Sequence, residues 1–483
     1  MEEMVQYLIV LVLYLLVVII WAIYKGRDVK DKVDYTVAGR RLPGWIAALS
    51  ERAAGESAWA LLGLPGAAYL MGLSKIWTAI GCFLGVTTMW SFLALKFRNE
   101  SIKYNATSYI ELLGKKLNDN TKYFRPILSF IIVFFFFFYV GAQFIGGGKV
   151  FNTLFSIDLY IGIIIMALVI IPYAIYGGMK SVIYADVIQS ILMIIILIIV
   201  PIYASINLMY EKEVFASSAF SALSLAGEKY TSILGEAING FTLGIFLQGI
   251  SWFFCYLGGQ PQLNIRFMTI KDEKNIKVGR NVSIVWTLLA YFGALMIGWL
   301  GIAYFGPNTL SDHEQVLPLL LKHLFHPLIT GLLITAIIAA MLSTADALII
   351  VSSIELSENI IKKFFSKGND LFVSRMVTFL LATCALIASF ITPTKIIFNL
   401  VGYVWAAIGG TFSAIVLLSF FWEKFNSKSA LITAILGVIF TVVWINTKLE
   451  NIISSRIMTF FFSLFVGYLS TILFTKKKEN YLG

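Results

Sequence analysis

The residues best suited to chemistry lie inside an apolar stretch of the chain, between Trp45 and Tyr69. Near the middle of this stretch stand Glu51, Arg52 and Glu56. A charged side chain near the centre of a membrane helix costs roughly 2.5 to 3.5 kcal/mol, so it persists where it faces protein or a wet cavity. The stretch therefore predicts a polar binding site within a membrane.

A second group of polar residues lies inside apolar stretches elsewhere in the chain. Ser343, Thr344 and Asp346 fall within one such stretch, and Asp186 lies near the start of another. Ser343 and Ala53 are each nine residues from the predicted cytoplasmic end of their own span. At about 1.5 Å per residue, both lie roughly 14 Å deep. The two polar groups are therefore predicted to be close enough to touch.

These residues offer oxygen atoms, from hydroxyls and from backbone carbonyls that a broken helix would free. An all-oxygen shell suits a hard cation, whereas a transition metal favours histidine or thiolate. The alternative is that Ser343 and Thr344 bond only to helix backbone, as hydroxyls in membrane helices often do. Asp346, three residues after Ser343 and on a similar helix face, favours the cation site.

Thirteen apolar spans of about 18 to 30 residues position these groups. The chain of 483 residues is 59% hydrophobic and 13% charged, about half the usual charged share of a soluble protein. The sequence predicts an all-α polytopic membrane protein with no soluble domain, and no grouped nucleophile, base and orienting residue indicates an enzyme. The predicted spans are 5–24, 44–70, 73–95, 126–148, 158–177, 182–208, 236–262, 282–305, 328–352, 374–392, 396–422, 430–447 and 456–475.

The distribution of positive charge predicts the orientation of the spans. With the N-terminus outside and the C-terminus cytoplasmic, 28 lysines and arginines lie inside and 8 outside, and Arg52 lies within the membrane. Positive residues gather on the cytoplasmic side of membrane proteins, here a bacterial-type inner (plasma) membrane. The net charge of +10 is therefore attributed to this face of the protein and not to nucleic-acid binding.

The order of the spans predicts an inverted repeat. The second and seventh spans both contain polar interruptions and, being five spans apart, run in opposite directions, as in secondary transporters whose sites lie where broken helices meet. The predicted units are an extra N-terminal helix and cytoplasmic loop (1–43), a first five-helix repeat (44–208), an outer loop with a second five-helix repeat (209–422), and two C-terminal helices with a short cytoplasmic tail (423–483).

Five motifs, in this order along the chain, resemble the sodium:solute symporter family, and within it most closely the sodium/proline symporters. The resemblance implies a LeuT-type core of five plus five helices, sodium as the coupling ion, no cofactor, and a small solute as the transported partner. The motifs are Asp34 to Leu42, Ser57-Ala58-Trp59 with Gly63-Leu64-Pro65-Gly66, Tyr176 to Val182 with Asp186 and Gln189, Gly259-Gln260-Pro261 with Arg266-Phe267-Met268, and Ala339 to Thr344.

The resemblance also implies a ligand set for sodium, in which the second span unwinds around Ala53 to Glu56. The implied ligands are the backbone carbonyls of Ala53, Glu56 and Ala340 and the side chains of Ser343 and Thr344. Asp186 matches an aspartate on the cytoplasmic sodium route. For Asp346 three roles stay open: a second cation site, a proton site, or an ion pair with a lysine or arginine.

A solute site is expected beside the sodium site. Tyr139 and Gln143 lie four residues apart on one helix face, and with aromatic side chains they suit a small zwitterion. Arg266 is expected on the inner basic face. The residues predicted to bind the solute are Gly55, Glu56, Ser57, Tyr139, Gln143, Trp252, Tyr256 and Gln260.

Two departures from the sodium/proline symporters concern this site. Those proteins usually carry an aspartate where this chain has Gly55, so that the acid has moved to Glu56, which is free to pair with Arg52, bind a cation or meet a substrate amine. Trp252 and Tyr256 lie one residue further from the Gly-Gln-Pro motif than expected. Either the helix break absorbs this shift, or Phe253 and Leu257 face the pocket instead.

The sequence thus predicts sodium-driven symport of a small zwitterionic or carboxylate solute, with proline first, by alternating access. One alternative is proton coupling through Glu56 and Asp346. A second alternative is a transporter-like sensor that binds a solute and acts through a separate partner protein.

Overall fold

The computed structural model describes residues 2–26, 32–176, 178–235, 244–361, 370–392 and 394–479. Within these ranges the chain is almost entirely helical, and the one β-type contact is an isolated bridge between Leu42 and Ile270. Apolar residues fill the helices because a chain in lipid must satisfy its backbone polar groups internally. The expected all-α architecture is confirmed.

The helices reproduce the thirteen predicted spans. Within the described ranges, eight helices or helix groups are long and apolar enough to cross a membrane; one of these, Gly44–Lys103, covers two predicted spans, and four shorter apolar helices match the remaining ones. Residues 236–243 of the seventh predicted span lie outside the described residues. The α-helices are Glu2–Gly26, Lys32–Val37, Gly44–Ala58, Leu64–Met71, Ile76–Thr88, Ala94–Lys103, Tyr109–Lys116, Phe124–Phe155, Leu159–Tyr176, Met179–Asn207, Ala219–Ala226, Glu228–Thr231, Gly244–Ile250, Trp252–Cys255, Pro261–Thr269, Glu273–Phe305, Val316–Leu324, Pro327–Asn359, Asp370–Ile391, Ile397–Val404, Thr411–Phe421, Ser427–Ile445 and Ser455–Glu479.

The second span is interrupted, but not where the sequence predicted. The helix continues through Ala53 to Glu56 and breaks at Ser57, whose backbone has φ 42° and ψ −166°. A π-helical turn at Trp59–Gly63 follows before the α-helix resumes. The predicted unwinding at Ala53 to Glu56 is therefore wrong. An ion pair between Arg52 and Glu56, one helical turn apart, holds that turn in α-helical geometry.

The seventh span is also broken. Short helices at Gly244–Ile250 and Trp252–Cys255 are followed by non-helical chain up to Gln260, and Pro261 then begins another helix. Gly258 within this connection has φ 91°, a left-handed conformation that costs glycine little. The eleventh span contains a π-helical turn at Trp405–Gly410. The second, seventh and eleventh spans thus bring irregular backbone into the interior, where it is shielded from lipid.

Candidate functional site

The two polar groups predicted at equal depth are in contact. The hydroxyl of Thr344 donates to the carbonyl oxygens of Ala53 and Ala54, each at 3.3 Å. All three residues are fully buried. The predicted proximity of the second and ninth spans is therefore confirmed, and it gathers hydroxyl and carbonyl oxygens at one point. Ala340 is buried one turn earlier in the same helix as Thr344.

Asp186 joins this cluster and uses both of its carboxylate oxygens. Oδ1 accepts a hydrogen bond from the Ser343 hydroxyl, and Oδ2 accepts one from Ser50 at 2.6 Å. Arg266 Nη2 also lies 3.0 Å from Oδ2. The expectation that Arg266 belongs to the inner basic face is wrong, because its side chain is fully buried. A buried aspartate of this kind requires a charged partner, and Arg266 provides it.

Asp346 lies close to this cluster and is equally buried. It feels the negative charge of Asp186 and the positive charge of Arg266. Its Oδ1 atom nevertheless has no hydrogen-bond partner among the described residues, and no ion pair to a lysine or arginine is found there. Of the three roles left open by the sequence, the ion-pair role therefore gains no support.

A second charged cluster, formed by Glu51, Arg52 and Glu56, lies on the same helix as Ala53 and Ala54. Arg52 pairs with both neighbouring acids: its Nε and Nη2 atoms donate to Glu51, and its Nη1 atom donates to Glu56 at 2.7 Å. Glu51 also accepts from the indole of Trp90 at 3.0 Å and from the hydroxyl of Ser283 at 3.4 Å. Both oxygens of Glu51 are therefore satisfied by the protein itself.

Glu56 differs from Glu51 in having a carboxylate oxygen to spare. Its Oε1 atom accepts from Arg52 and, at 3.0 Å, from the hydroxyl of Tyr291. Its Oε2 atom is buried and has no partner in the described part of the chain. A buried acceptor without a partner costs about 1 to 3 kcal/mol, more when charged, unless a ligand occupies it. Pairing with Arg52 thus leaves one oxygen of Glu56 for a ligand.

Gly55, which precedes Glu56, packs closely against a neighbouring helix. A Cβ atom at Gly55 would lie 3.3 Å from Leu263 and 3.7 Å from Arg52 Nη2. A side chain at Gly55 would therefore crowd the helix Pro261–Thr269 beside the Arg52 guanidinium. Gly55 instead contributes its carbonyl oxygen, which accepts from the Trp59 indole at 3.2 Å.

An aromatic cluster forms the wall next to Glu56. The rings of Trp59 and Trp252 stack with centroids 4.9 Å apart, and Trp405 packs 5.6 Å from Trp252. The hydroxyl of Tyr256 lies 3.2 Å from that of Tyr291, the residue bound to Glu56. Trp252 and Tyr256 therefore face the interior together.

Phe253 and Leu257, the alternative pocket residues of the seventh span, lie on the other side of the span, packed against Phe460 of the thirteenth span. The chain between Cys255 and Gln260 is not helical, and it lies between Trp252 with Tyr256 and the Gly-Gln-Pro motif.

Tyr139 and Gln143 contribute in different ways. Both polar atoms of the Gln143 side chain are bonded: the oxygen accepts from the backbone N–H of Ala58 at 3.0 Å, and the nitrogen donates to the carbonyl of Tyr139 at 3.2 Å. Gln143 therefore stabilises the helix break beside Ser57. The hydroxyl of Tyr139 is buried without a partner among the described residues and faces Ser57 and Trp405.

Four buried polar atoms around this wall are left without partners in the described chain: Glu56 Oε2, Tyr139 Oη, Trp252 Nε1 and Trp405 Nε1. One is a carboxylate acceptor and three carry a donor hydrogen. Gln260, also predicted in the site, has an unpartnered Nε2 atom, while its Oε1 atom accepts from Gln262 at 3.0 Å. Unsatisfied buried groups in one region of a protein indicate a ligand site.

Sequence reasoning missed several residues of this site. Trp90, Thr287, Tyr291 and Trp405 all contact the charged or aromatic cluster, and Thr287 accepts from Arg52 Nη1 at 3.3 Å. Each lies in an apolar helix whose other aromatic and hydroxyl residues face lipid or the core. Trp90 and Trp405 each lie in a π-helical turn, which the spacing of residues in the sequence does not reveal.

Comparison with known proteins identifies relatives of the whole chain. Residues 35–437 match the model of the sodium:solute symporter family. The high-affinity proline transporter PutP of Bacillus subtilis is 33% identical over 92% of this chain and 94% of its own length. Sodium/proline symporter 2 of Staphylococcus saprophyticus is 29% identical over 99% of this chain and 93% of its own length.

Two solved structures share the fold. A sodium-coupled sialic acid symporter, in a substrate-bound outward-open state, aligns with a TM-score of 0.79 at 19% identity, covering 97% of this chain and 98% of that one. A transporter of the nucleobase-cation-symport-1 family, in a closed conformation, aligns with a TM-score of 0.53 at 11% identity over 89% of this chain and 93% of that one. The expected LeuT-type fold is thereby confirmed.

Proposed function

We propose that this chain couples sodium entry to the uptake of a small zwitterion, because it belongs to the sodium:solute symporter family. Proline is the first candidate solute, since the relatives that span most of the chain are named as proline transporters. The observation that carries the proposal is the contact of Thr344 with two carbonyl oxygens of the interrupted second span. It supplies an oxygen-lined point near the membrane centre, which suits a hard cation.

For the sodium site we propose five ligands. They are the carbonyl oxygens of Ala53, Glu56 and Ala340 and the hydroxyls of Ser343 and Thr344. Asp186 is proposed to attract the ion on its cytoplasmic route, since it already bonds the Ser343 hydroxyl. When sodium binds, the two hydroxyls turn their oxygen lone pairs to the ion and direct their hydrogens to Asp186 and to neighbouring carbonyls.

For the solute we propose the space bounded by the four unpartnered atoms. The ammonium group would meet Glu56 Oε2, which carries negative charge and lacks a donor. The carboxylate would accept hydrogen bonds from Tyr139, Trp252 and Trp405. Gly55, Ser57, Gln143, Tyr256 and Gln260 are proposed to shape this space, with the aromatic wall covering the apolar ring of the solute.

The two sites share the segment from Ala53 to Ser57, which links ion and solute binding. Ser57 has φ 42°, a conformation that costs a non-glycine residue about 1 to 3 kcal/mol. We propose that ligands on both sides of this segment stabilise it in the geometry required for transport. Each sodium ion that moves inward also gains about 2.3 kcal/mol per 100 mV of inside-negative potential.

The topology completes the proposal. With the N-terminus outside and the C-terminus cytoplasmic in a bacterial-type inner membrane, 28 lysines and arginines lie inside and 8 outside. We propose residues 44–208 and 209–422 as the two inverted repeats that alternate between outward and inward access. Residues 1–43 and 423–483 flank this core.

Replacing both hydroxyl ligands tests the sodium site. The double variant Ser343→Ala and Thr344→Ala is expected to abolish sodium-dependent proline uptake into proteoliposomes. A matched control is Thr335→Ala, about two turns before Ser343 in the same helix, whose hydroxyl donates to the carbonyl of Leu332. The control should retain uptake. Undiminished uptake by the double variant would rule out the proposed sodium site.

One observation favours a second candidate, proton coupling: the buried Oδ1 atom of Asp346 has no partner among the described residues. A carboxyl group in that position is able to hold a proton. This candidate predicts uptake driven by an acidic outer pH without sodium, which Asp346→Asn removes. Sodium coupling predicts almost no uptake under those conditions.

A further inference from the structure

One tyrosine of a predicted cytoplasmic loop is fully buried in the protein. Tyr109 begins the helix Tyr109–Lys116, which lies between the third and fourth predicted spans. We call this helix the inner helix. Segments that connect spans run over the surface of a protein, yet Tyr109 is 0% exposed. Its backbone N–H and its hydroxyl therefore need partners inside the protein.

The backbone N–H of Tyr109 bonds to the helix that carries the hydroxyls of the proposed sodium site. Glu355 lies in this helix, Pro327–Asn359, about three turns beyond Thr344. Its Oε1 atom accepts from the N–H of Tyr109 at 2.8 Å and from that of Ile110 at 3.2 Å. The first N–H groups of a helix have no partner within it and favour a negative charge. Glu355 thus joins the inner helix to the ninth span.

The carboxylate of Glu355 is buried and paired by uncharged donors. The residue is 0% exposed. Its Oε2 atom accepts from Asn359 Nδ2 at 2.7 Å and from the Ser108 hydroxyl at 3.1 Å. No lysine or arginine of the described ranges lies within ion-pair distance of it. A buried carboxylate is costly unless its oxygens are paired, so these donors hold the junction in one geometry.

The hydroxyl of Tyr109 bonds to the break in the seventh span. It donates to the carbonyl oxygen of Gly258 at 2.8 Å. Gly258 lies two residues after Tyr256 and two before Gln260, which both belong to the proposed solute site. Tyr109 is thus bonded at one end to the helix of the proposed sodium ligands and at the other end to the chain beside the solute.

The ring of Tyr109 is held firmly between these two bonds. It stacks on the ring of Phe97 with centroids 6.1 Å apart, and the ring of Phe412 lies 6.2 Å away. A side chain in a close-packed core has little room to change rotamer unless its neighbours move. A displacement of Glu355 is therefore transmitted through Tyr109 to Gly258.

We propose that Tyr109 is a positioning residue, which fixes the break of the seventh span relative to the helix of the sodium ligands. The link to sodium and solute rests on the proposed function, whereas the two bonds do not. An ion that shifts the ninth span also shifts the Gly258 carbonyl, and with it the wall of the solute site. Coupling between two sites requires an element that both of them bias, and Tyr109 contacts both.

Hydrogen–deuterium exchange of the full-length protein reports on the break without sodium or solute. Glu355→Gln keeps the size of the side chain but turns an amide N–H₂ group toward other donors, which loosens the inner helix. Tyr109→Phe removes the hydroxyl and keeps the ring. In both variants we expect exchange in residues 256–264 to rise about two- to tenfold, as for the loss of one hydrogen bond.

Two matched controls make the same chemical changes elsewhere. Tyr304→Phe removes a hydroxyl that donates to the carbonyl of Ala204 at 2.8 Å. Glu450→Gln alters a carboxylate that accepts from the backbone N–H of Ser455, at the start of another helix, at 2.7 Å. Neither control should change exchange in residues 256–264.

Transmission through the tyrosine requires that both test variants respond. Faster exchange in Glu355→Gln and in Tyr109→Phe supports the proposal. A response to Tyr109→Phe alone would overturn it, because the hydroxyl would then act on Gly258 only locally. A response to Glu355→Gln alone, no response in either, or an equal response in the controls would overturn it as well.

Equilibrium binding then measures the coupling itself. Tyr109→Phe and Glu355→Gln should each reduce, by about two- to tenfold, the factor by which sodium raises proline affinity. The double variant should reduce it no further than the stronger single variant, because both belong to one network. A merely structural role would lower the thermal stability and leave this factor unchanged in both variants, which would overturn the proposal.

The outcomes separate this proposal from the proposed function. If sodium does not change proline affinity in the intact protein, the proposed function fails, whereas faster exchange in both variants still supports the role of Tyr109. Conversely, unchanged exchange together with a normal sodium effect in both variants overturns the role of Tyr109 and leaves the proposed function standing.

Discussion

Two buried carboxylates within the same membrane core are held very differently. Asp186 uses both oxygens for Ser343, Ser50 and Arg266, whereas Glu56 uses one oxygen for Arg52 and Tyr291 and keeps the other without a partner among the described residues. A fully paired ion holds helices together. A carboxylate with one unpartnered oxygen can bind a ligand through that oxygen. In the proposed function, Asp186 therefore acts on sodium through its bond to the Ser343 hydroxyl, whereas Glu56 contacts the solute directly.

Breaking the fully paired cluster should have the largest effect. Arg266→Met leaves Asp186 buried without a counter-charge, which costs about 3 to 5 kcal/mol. We expect a strongly lowered midpoint of thermal unfolding in detergent. The control is Lys115→Met, since the partly exposed pair between Lys115 and Glu111 at 2.8 Å, four residues apart on one helix, contributes about 0.3 to 0.5 kcal/mol. Equal shifts for the two variants would contradict the role assigned to Arg266.

A second prediction compares the two acids on either side of Arg52. Glu56→Gln should lower proline affinity at least tenfold, because hydrogen bonds to charged groups contribute about 1.5 to 3 kcal/mol. Glu51→Gln should leave affinity within about twofold and instead lower stability, since Glu51 is satisfied by Arg52, Trp90 and Ser283. Equilibrium binding and thermal unfolding measure the two effects. A loss of stability with unchanged proline affinity in Glu56→Gln, and a loss of affinity in Glu51→Gln, would show that Glu56 has the structural role.

The smallest effect is expected from an indole nitrogen. Trp405→Phe removes an N–H that has no partner in the described chain, so stability should hardly change while proline affinity falls about two- to tenfold. Trp90→Phe is the matched control, because its N–H bonds Glu51 at 3.0 Å. That control should lose stability and retain affinity. An unchanged affinity in Trp405→Phe would exclude Trp405 from the solute site.

Features set by hydrophobicity and depth were predictable from the sequence. The thirteen spans follow from runs of apolar residues, and the contact between Thr344 and Ala53 follows from equal distance to the cytoplasmic ends of two helices. Such predictions succeed because the bilayer fixes both the length of a helix and the depth of its residues.

Pairings across the bundle were not predictable in the same way. Arg266 was expected on the inner basic face, and its pairing with Asp186, 80 residues away in sequence, was not foreseen. The break at Ser57 was expected earlier, since spacing does not show that the ion pair of Arg52 and Glu56 keeps that turn helical. Tyr291 and Trp405 face the site because of the way their helices are oriented about their own axes. The polar residues of these helices show no helical periodicity in the sequence, so the inward-facing side could not be identified from it.

The central claim is that sodium and solute bind on either side of the segment from Ala53 to Ser57 and stabilise each other there. Equilibrium binding of proline to purified protein across sodium concentrations, with potassium holding ionic strength constant, tests it most directly. Linkage requires that sodium raises proline affinity and that proline raises sodium affinity by the same factor. We expect this reciprocal increase, and its loss in Ser343→Ala with Thr344→Ala. A proline affinity that does not change with sodium in the intact protein would contradict the account.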